Sequence, residues 1–308
     1  MNNKMLNLLL LGLALVAPLA LYPVFLMKAL CFALFACAFN LLLGFAGLLS
    51  FGHAVFLGTG AYVTGYLMVT YGLTPEVGIL AGVGASALLG FIYGTLAVKR
   101  EGIYFAMVTL ALAQLAFFFY LQAPFTGGED GLQGVPRGKL FGLVDLSDNL
   151  NMYYFVLAIF IAGFGLIRRT VHSPFGQVMK AIRENEPRAI SLGYKVNQYK
   201  LLAFVLSATL AGLAGSTKAL VFQLASLNDV HWFMSGEVVL MTLLGGMGTL
   251  WGPVLGAGTI IAIQNVLASG PLANYIHVIM GIVFVLCVLA FRNGLVGELQ
   301  KLIRKNFN

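Results

Sequence analysis

The sequence predicts an all-α, polytopic membrane protein, and three observations carry that expectation. Of the 308 residues, 60% are hydrophobic and only 9% charged, against roughly a quarter charged in ordinary soluble domains. The mean hydropathy is +0.92. Uncharged apolar runs recur along the chain, each of about 20 residues and so able to cross a hydrocarbon core of about 30 Å as a helix. The 37 glycines fit this class, since small residues let membrane helices approach closely. The net charge of +7 would suggest a nucleic-acid partner in a soluble protein. Here the basic residues sit between apolar runs, so they read as topology, with membrane lipid and not nucleic acid as the surroundings.

Taken in order, the runs place spans at 6–26, 29–49, 53–70, 77–98, 103–121, 152–169, 198–222, 234–246, 251–269 and 273–291, in a single transmembrane domain covering 1–308. Lys4 before the first run resembles the start of a signal peptide. Yet 6–26 is long for such a segment and a second apolar run follows almost at once, so a retained span is expected. Lys28 falls in the tight turn between the first two spans. The run 234–246 is too short to cross as a regular helix, which leaves nine spans as the alternative to ten. Cys31, Cys37 and Cys287 are scattered inside apolar runs without metal-ligand spacing, and read as reduced packing residues.

Basic residues fix the orientation. Lys99 and Arg100, the loop from Arg168 to Lys200, and the tail with Arg292, Lys301, Arg304 and Lys305 all fall on one side. The long loop 122–151 carries Glu129, Asp130, Asp145 and Asp148 and falls on the other. Both termini are therefore expected in the cytoplasm.

The most informative polar stretch is Ser173–Gly193, within a loop segment 172–195. Ser173 is a helix cap and Pro174 a first helical residue whose missing N–H costs nothing. Phe175, Val178, Met179 and Ile182 recur at helical spacing and form one apolar stripe, with Lys180 and Arg183 off it. Glu184 to Pro187 break the helix, and a second short run, Arg188 to Leu192, stops at Gly193. On periodicity alone this is either an amphipathic loop lying on the headgroups or a handle for something outside the bilayer. Elsewhere, Leu42-Leu-Gly44-x-x-Gly47-x-Leu49 recurs as Leu243-Leu-Gly245-x-x-Gly248-x-Leu250. This faint internal repeat fits the duplicated architecture common in transporters.

The chain contains no catalytic constellation: no nucleophile elbow, no metal-ligand spacing and no Walker A loop. No metal and no cofactor are expected, and if ATP drives the protein another chain must supply the hydrolysis. Glycines 44, 47, 52 and 58, and 245, 248 and 252, match no nucleotide fingerprint, so Gly44, Gly47, Gly52, Gly58, Gly245, Gly248 and Gly252 read as close-packing and gating positions. Asn40, Gln114, Lys218, Glu237, Gln264, Asn265 and His277 are polar groups within apolar spans, where an ionisable side chain costs at least a few kcal/mol and so becomes a functional candidate. Of these, Asn40, Gln114, Lys218 and Glu237 are candidates for a substrate path. Lys218 and Glu237 lie near the outer ends of their spans, placed to pair or to snorkel, and Asn40 and Gln114 also suit helix–helix hydrogen bonding. His53 reads as a buried, satisfied histidine.

Four stretches resemble a known family. Glu186-Pro-Arg-Ala189-Ile-Ser-Leu-Gly193 is similar to the Glu-x-x-Ala-x-x-x-Gly loop through which ABC-importer permeases dock on their ATPases. Leu41 to Tyr62, Thr126 to Pro136 and Leu243 to Pro253 resemble the LivM-type permeases of branched-chain amino acid importers, and the likeness runs from about residue 30 to 290. It implies one half of a translocation pathway in a bacterial inner membrane. The implied partners are a second, LivH-type permease, two cytoplasmic ATPase subunits and a periplasmic binding protein. It also implies that 172–195 is a cytoplasmic coupling helix–turn–helix, 122–151 a periplasmic loop, and that the stripe fills an ATPase groove while Arg183, Glu184 and Glu186 pair at its rim. Related permeases serve urea, amides and other amino acids. The rival readings are a proton- or sodium-coupled secondary transporter, which needs a carboxylate or histidine network in the membrane, and an assembly subunit without a path of its own.

Overall fold

The computed structural model describes residues 12, 14–18, 21–268, 270, 275–290 and 294–297. The first expected span, 6–26, therefore lies partly outside the described residues, at 6–11, 13, 19 and 20, and the side chains of His277 and Cys287 lie outside them too. A break at Leu21 and Tyr22 precedes helix α1, Pro23–Asn40, which continues through a π-helical turn at Leu41–Phe45. Lys28 thus lies inside α1 and not in a turn. Pro23, which starts a helix at no cost, sets the boundary several residues earlier than hydropathy does.

The remaining expected spans each coincide with a helix: α2 His53–Tyr71, α3 Pro75–Ala97, α4 Gly102–Gln122 and α5 Asn149–His172. After the short helices α6 Pro174–Glu184 and α7 Glu186–Ser191 come α8 Val196–Phe222, α9 Trp232–Gly245, α10 Gly252–Ala268 and α11 Ile276–Ala290. Among the described residues, five helical segments are long and apolar enough to cross a bilayer: α1 with its π turn, α3, α4, α5 and α8. At 14 residues α9 is short for a crossing, as its sequence indicates.

Burial divides the bundle into an interior and a shell. The apolar windows of α1 and α8 are 72% buried, whereas those of α3, α4 and α5 are 28–39% buried. The shell helices present Leu80, Leu88, Ile103, Met107, Leu115, Phe118 and Phe119 outward, as lipid-facing helices must. Helices α2 and α8 cross at backbone distance: a Cβ on Gly215 would fall 1.8 Å from the Leu57 carbonyl oxygen. Only glycine permits that approach. Ser86 donates to the Phe56 carbonyl at 3.0 Å and Ser216 to that of Gly60 at 3.1 Å, satisfying polar groups where water is absent.

The 122–151 loop is folded onto one end of the bundle. Strand β1, Leu132–Gln133, pairs antiparallel with β4, Leu224–Ala225, and β2, Lys139–Leu140, pairs with β3, Val144–Asp145. Arg137 donates to the Val221 carbonyl at 3.0 Å and to Asn149 Oδ1 at 2.8 Å, tying loop to helix ends. Helix α5, at 24 residues, carries the chain from this loop face to the opposite face, where α6 and α7 lie.

Candidate coupling and permeation sites

Helix α6 begins as its sequence predicts: Ser173 Oγ accepts from the Gly176 N–H at 3.3 Å and Pro174 is the first helical residue. The break is shorter than expected. Asn185 alone leaves helical geometry, and its Oδ1 caps α7 by accepting from the Arg188 N–H at 3.0 Å. The second helix consequently runs Glu186–Ser191 and not Arg188–Leu192, because Pro187 is acceptable in a first helical turn. Gly193 then turns the chain with φ of +87°.

The apolar stripe faces inward. Met179 and Ile182 are 1% and 4% exposed, Val178 is half-buried, and Phe175 stacks on Tyr199 of α8 with ring centroids 5.6 Å apart. Ala189 of α7 is buried beside Ile182 and Val196. The expectation that this stripe fills an ATPase groove is therefore corrected: it anchors the helix pair to the chain's own membrane body. Burial of each large side chain there contributes about 1.5–3 kcal/mol. What is exposed is a different set. Ile190 is 57% exposed and Leu192 68%, with Glu184 and Arg188 exposed beside them. A groove of about 410 Å³ adjoins this set, lined by Glu101, Glu186, Ile190 and Tyr194 among others.

Two of the three charges expected at a rim are engaged internally. Both carboxylate oxygens of Glu186 accept from Lys200 Nζ, at 2.6 and 2.7 Å, and Lys200 is 5% exposed. Arg183 donates from Nη1 to the carbonyl of Gly44 in the π turn. Arg183 and Glu184 are both exposed, but of the two only Arg183 has its head group bonded to the body of the chain among the described residues. Lys200 went unmarked at the sequence level because it sits where a basic loop residue is ordinary.

The glycine repeat becomes one structural unit. Asn40 Nδ2 donates to the Thr249 carbonyl at 2.8 Å, and Asn40 Oδ1 accepts from the Gly248 N–H at 3.0 Å. A Cβ on Gly44 would lie 2.7 Å from the Gly248 nitrogen, so the two turns touch through bare backbone. The equivalent glycines, Gly47 and Gly248, have matching left-handed φ values of +75° and +79°. Asn40, a substrate-path candidate, is thus the clasp between repeats. Of the other packing glycines, Gly52 abuts the Thr109 carbonyl, Gly58 abuts Val230, and Gly245 and Gly252 bring α9 and α10 into backbone contact.

At the opposite end, Lys218 pairs with Asp229 at 2.5 Å and not with Glu237. Asp229 also accepts from the Ser226 N–H at 3.4 Å, completing a reciprocal cap. Glu237 instead accepts from Gln264 of α10 at 3.2 Å. Gln114 is half-buried on α4. His53 is fully buried among Phe35, Phe39 and Phe56, with Nε2 3.1 Å from Ser207 Oγ. Its Nδ1 has no partner among the described residues, so the histidine is only half satisfied. The Lys218 partner was missed because Asp229 reads as an ordinary acidic loop residue.

Apolar helices around two buried ones, with an amphipathic helix pair held against their ends, define a multi-pass helical membrane protein. The profile of the family described as the permease component of branched-chain amino acid transport systems matches residues 23–288, and the chain belongs to that family. It is 28% identical over 284 residues to the high-affinity branched-chain amino acid transport system permease protein LivM of Escherichia coli K12, covering 83% of this chain and 65% of LivM. It is 24% identical over 292 residues to LivH of the same organism, covering 87% and 91%. The autoinducer 2 import system permease protein LsrC of Klebsiella pneumoniae is 30% identical over 192 residues, covering 59% and 52%. The chain thus spans about two thirds of the length of LivM. No solved structure matches it.

Proposed function

We propose that this protein is the membrane-spanning permease subunit of an ATP-driven importer of branched-chain or related amino acids in a bacterial inner membrane. It forms half of the translocation path beside a homologous LivH-type permease. Two ATPases complete the importer in the cytoplasm, where both termini lie and where this chain couples to them through its α6–α7 face, and a periplasmic binding protein delivers substrate at the 122–151 face. Family membership supports the transport class. The observation that carries the docking role is the outward pair Ile190 and Leu192, 57% and 68% exposed on a helix pair that is otherwise anchored inward. Exposed apolar side chains accompanied by the exposed charges of Glu184 and Arg188 suit a protein partner, with the charges setting partner choice.

A pull-down of the tagged chain from its native membrane in mild detergent tests this. The unaltered chain is expected to bring down two ATPases and a second permease. Ile190→Asp with Leu192→Asp should lose the ATPases and keep the permease. Met179→Asp is unsuitable for this purpose, since Met179 is buried and the helix pair would come loose. A chain that purifies without any ATPase, or ATPases that stay bound to the double variant, would remove this docking face.

A further inference from the structure

Resting on the reading of α6–α7 as the ATPase dock, we propose that Arg183 is the residue that transmits movement of the dock to the paired glycine turns. Three observations converge on its side chain. Its guanidinium donates to the Gly44 carbonyl, at the point where α1 has loosened into a π turn. Its stem lies over Gly47, where an added Cβ would come 3.0 Å from Arg183 Cγ, and its fork over Gly248, where an added Cβ would come 3.3 Å from Nη1. These are the equivalent left-handed glycines of the two repeats, so one side chain from α6 touches both halves of the unit that Asn40 clasps.

The remaining contacts make the connection stiff on one side and yielding on the other. Met179 and Ile182 fix α6 to the membrane body, and Lys180 lies 5.8 Å over the ring of Phe45 in the same π turn. A cleft of about 150 Å³, lined by Gly47, Arg183, Glu186 and Lys200, opens beside the guanidinium. Displacing α6 therefore pulls on the Gly44 carbonyl and can shift the π turn into that space. A π turn is a common place for a helix to change its hydrogen-bond register, and two packed arrangements of one element are what carry coupling between sites. Although Arg183 is exposed, its guanidinium is turned onto the glycine turns, which makes it a positioning residue and not a rim contact to the ATPase.

The test uses the full complex in proteoliposomes, with amino-acid import and ATP hydrolysis measured on the same preparation. Arg183→Ala is expected to retain its ATPases in unchanged proportion and to keep hydrolysis within about twofold. Import per ATP hydrolysed should fall by about tenfold, the size of an ordinary coupling contribution. Arg183→Lys, which keeps a donor in reach of one carbonyl, should recover part of that loss. Loss of bound ATPase in Arg183→Ala would make Arg183 a docking contact and overturn the proposal, as would an unchanged ratio of import to hydrolysis. An unaltered complex that holds no ATPase would instead sink the docking reading itself, and this inference with it.

Discussion

Replacing Asp229 with alanine is expected to cost about 3–5 kcal/mol of folding stability, the loss typical when one member of a buried ion pair is removed and the other is left uncompensated. Lys218 and Asp229 are 13% and 3% exposed, and the lysine lies between the rings of Phe222 and Phe32, at 5.6 and 6.0 Å. Those rings hold the ammonium in place but cannot replace a carboxylate. Asp229→Ala also opens the cap that joins Ser226 to Asp229. Asp229→Asn, which preserves most of that cap, should fall between the two. Adding Lys218→Met to Asp229→Ala should recover most of the loss, because no lone charge then remains. Unfolding in detergent of the unaltered protein, these three variants and Lys218→Met alone measures this. Strictly additive losses in the double variant would show that the pair is not coupled and that Lys218 simply snorkels.

A second large effect is expected from Glu186→Ala. Lys200 would keep a 5% exposed ammonium without its bidentate partner. The cost is smaller than for the first pair, about 2 kcal/mol, because Glu186 is 24% exposed and solvent already screens it. Its consequence is local, since this pair fastens α7 to the start of α8 across the Gly193 turn. Amide exchange across 186–194 should accelerate by about tenfold or more, with the interior of α8 unchanged. Glu186→Gln should give a smaller acceleration. Protection that stays the same in Glu186→Ala would mean that Ala189 and the buried stripe hold α7 without the ion pair.

Much of the fold was legible because helix formation in a membrane is dictated by local composition. Each expected span after the first has a helix at its place, and Ser173, Pro174 and Gly193 cap, open and end the helix pair as their chemistry requires. What a hydropathy pattern does not contain is which body an amphipathic stripe packs on. Phe175, Met179 and Ile182 have the spacing of a partner-binding face, yet they pack on the chain itself, leaving Ile190 and Leu192 outside. Lys28 was misplaced for a similar reason: a charge in an apolar run resembles a turn, while Pro23 is the stronger punctuation. The pairings of Lys218 with Asp229, Lys200 with Glu186 and Arg183 with Gly44 join residues brought together only by folding. The repeat was visible in its glycines, but its meaning rests on Asn40 bridging Gly248 and Thr249, more than 200 positions away.

The most direct test of the permease reading is uptake of labelled leucine by cells that carry or lack this chain, under two energetic conditions. With ATP maintained and the proton gradient collapsed by an uncoupler, chain-dependent uptake should persist, and with ATP depleted and the gradient intact it should stop. Uptake that follows the gradient at constant ATP would contradict the ATP-driven importer and place the chain among ion-coupled transporters.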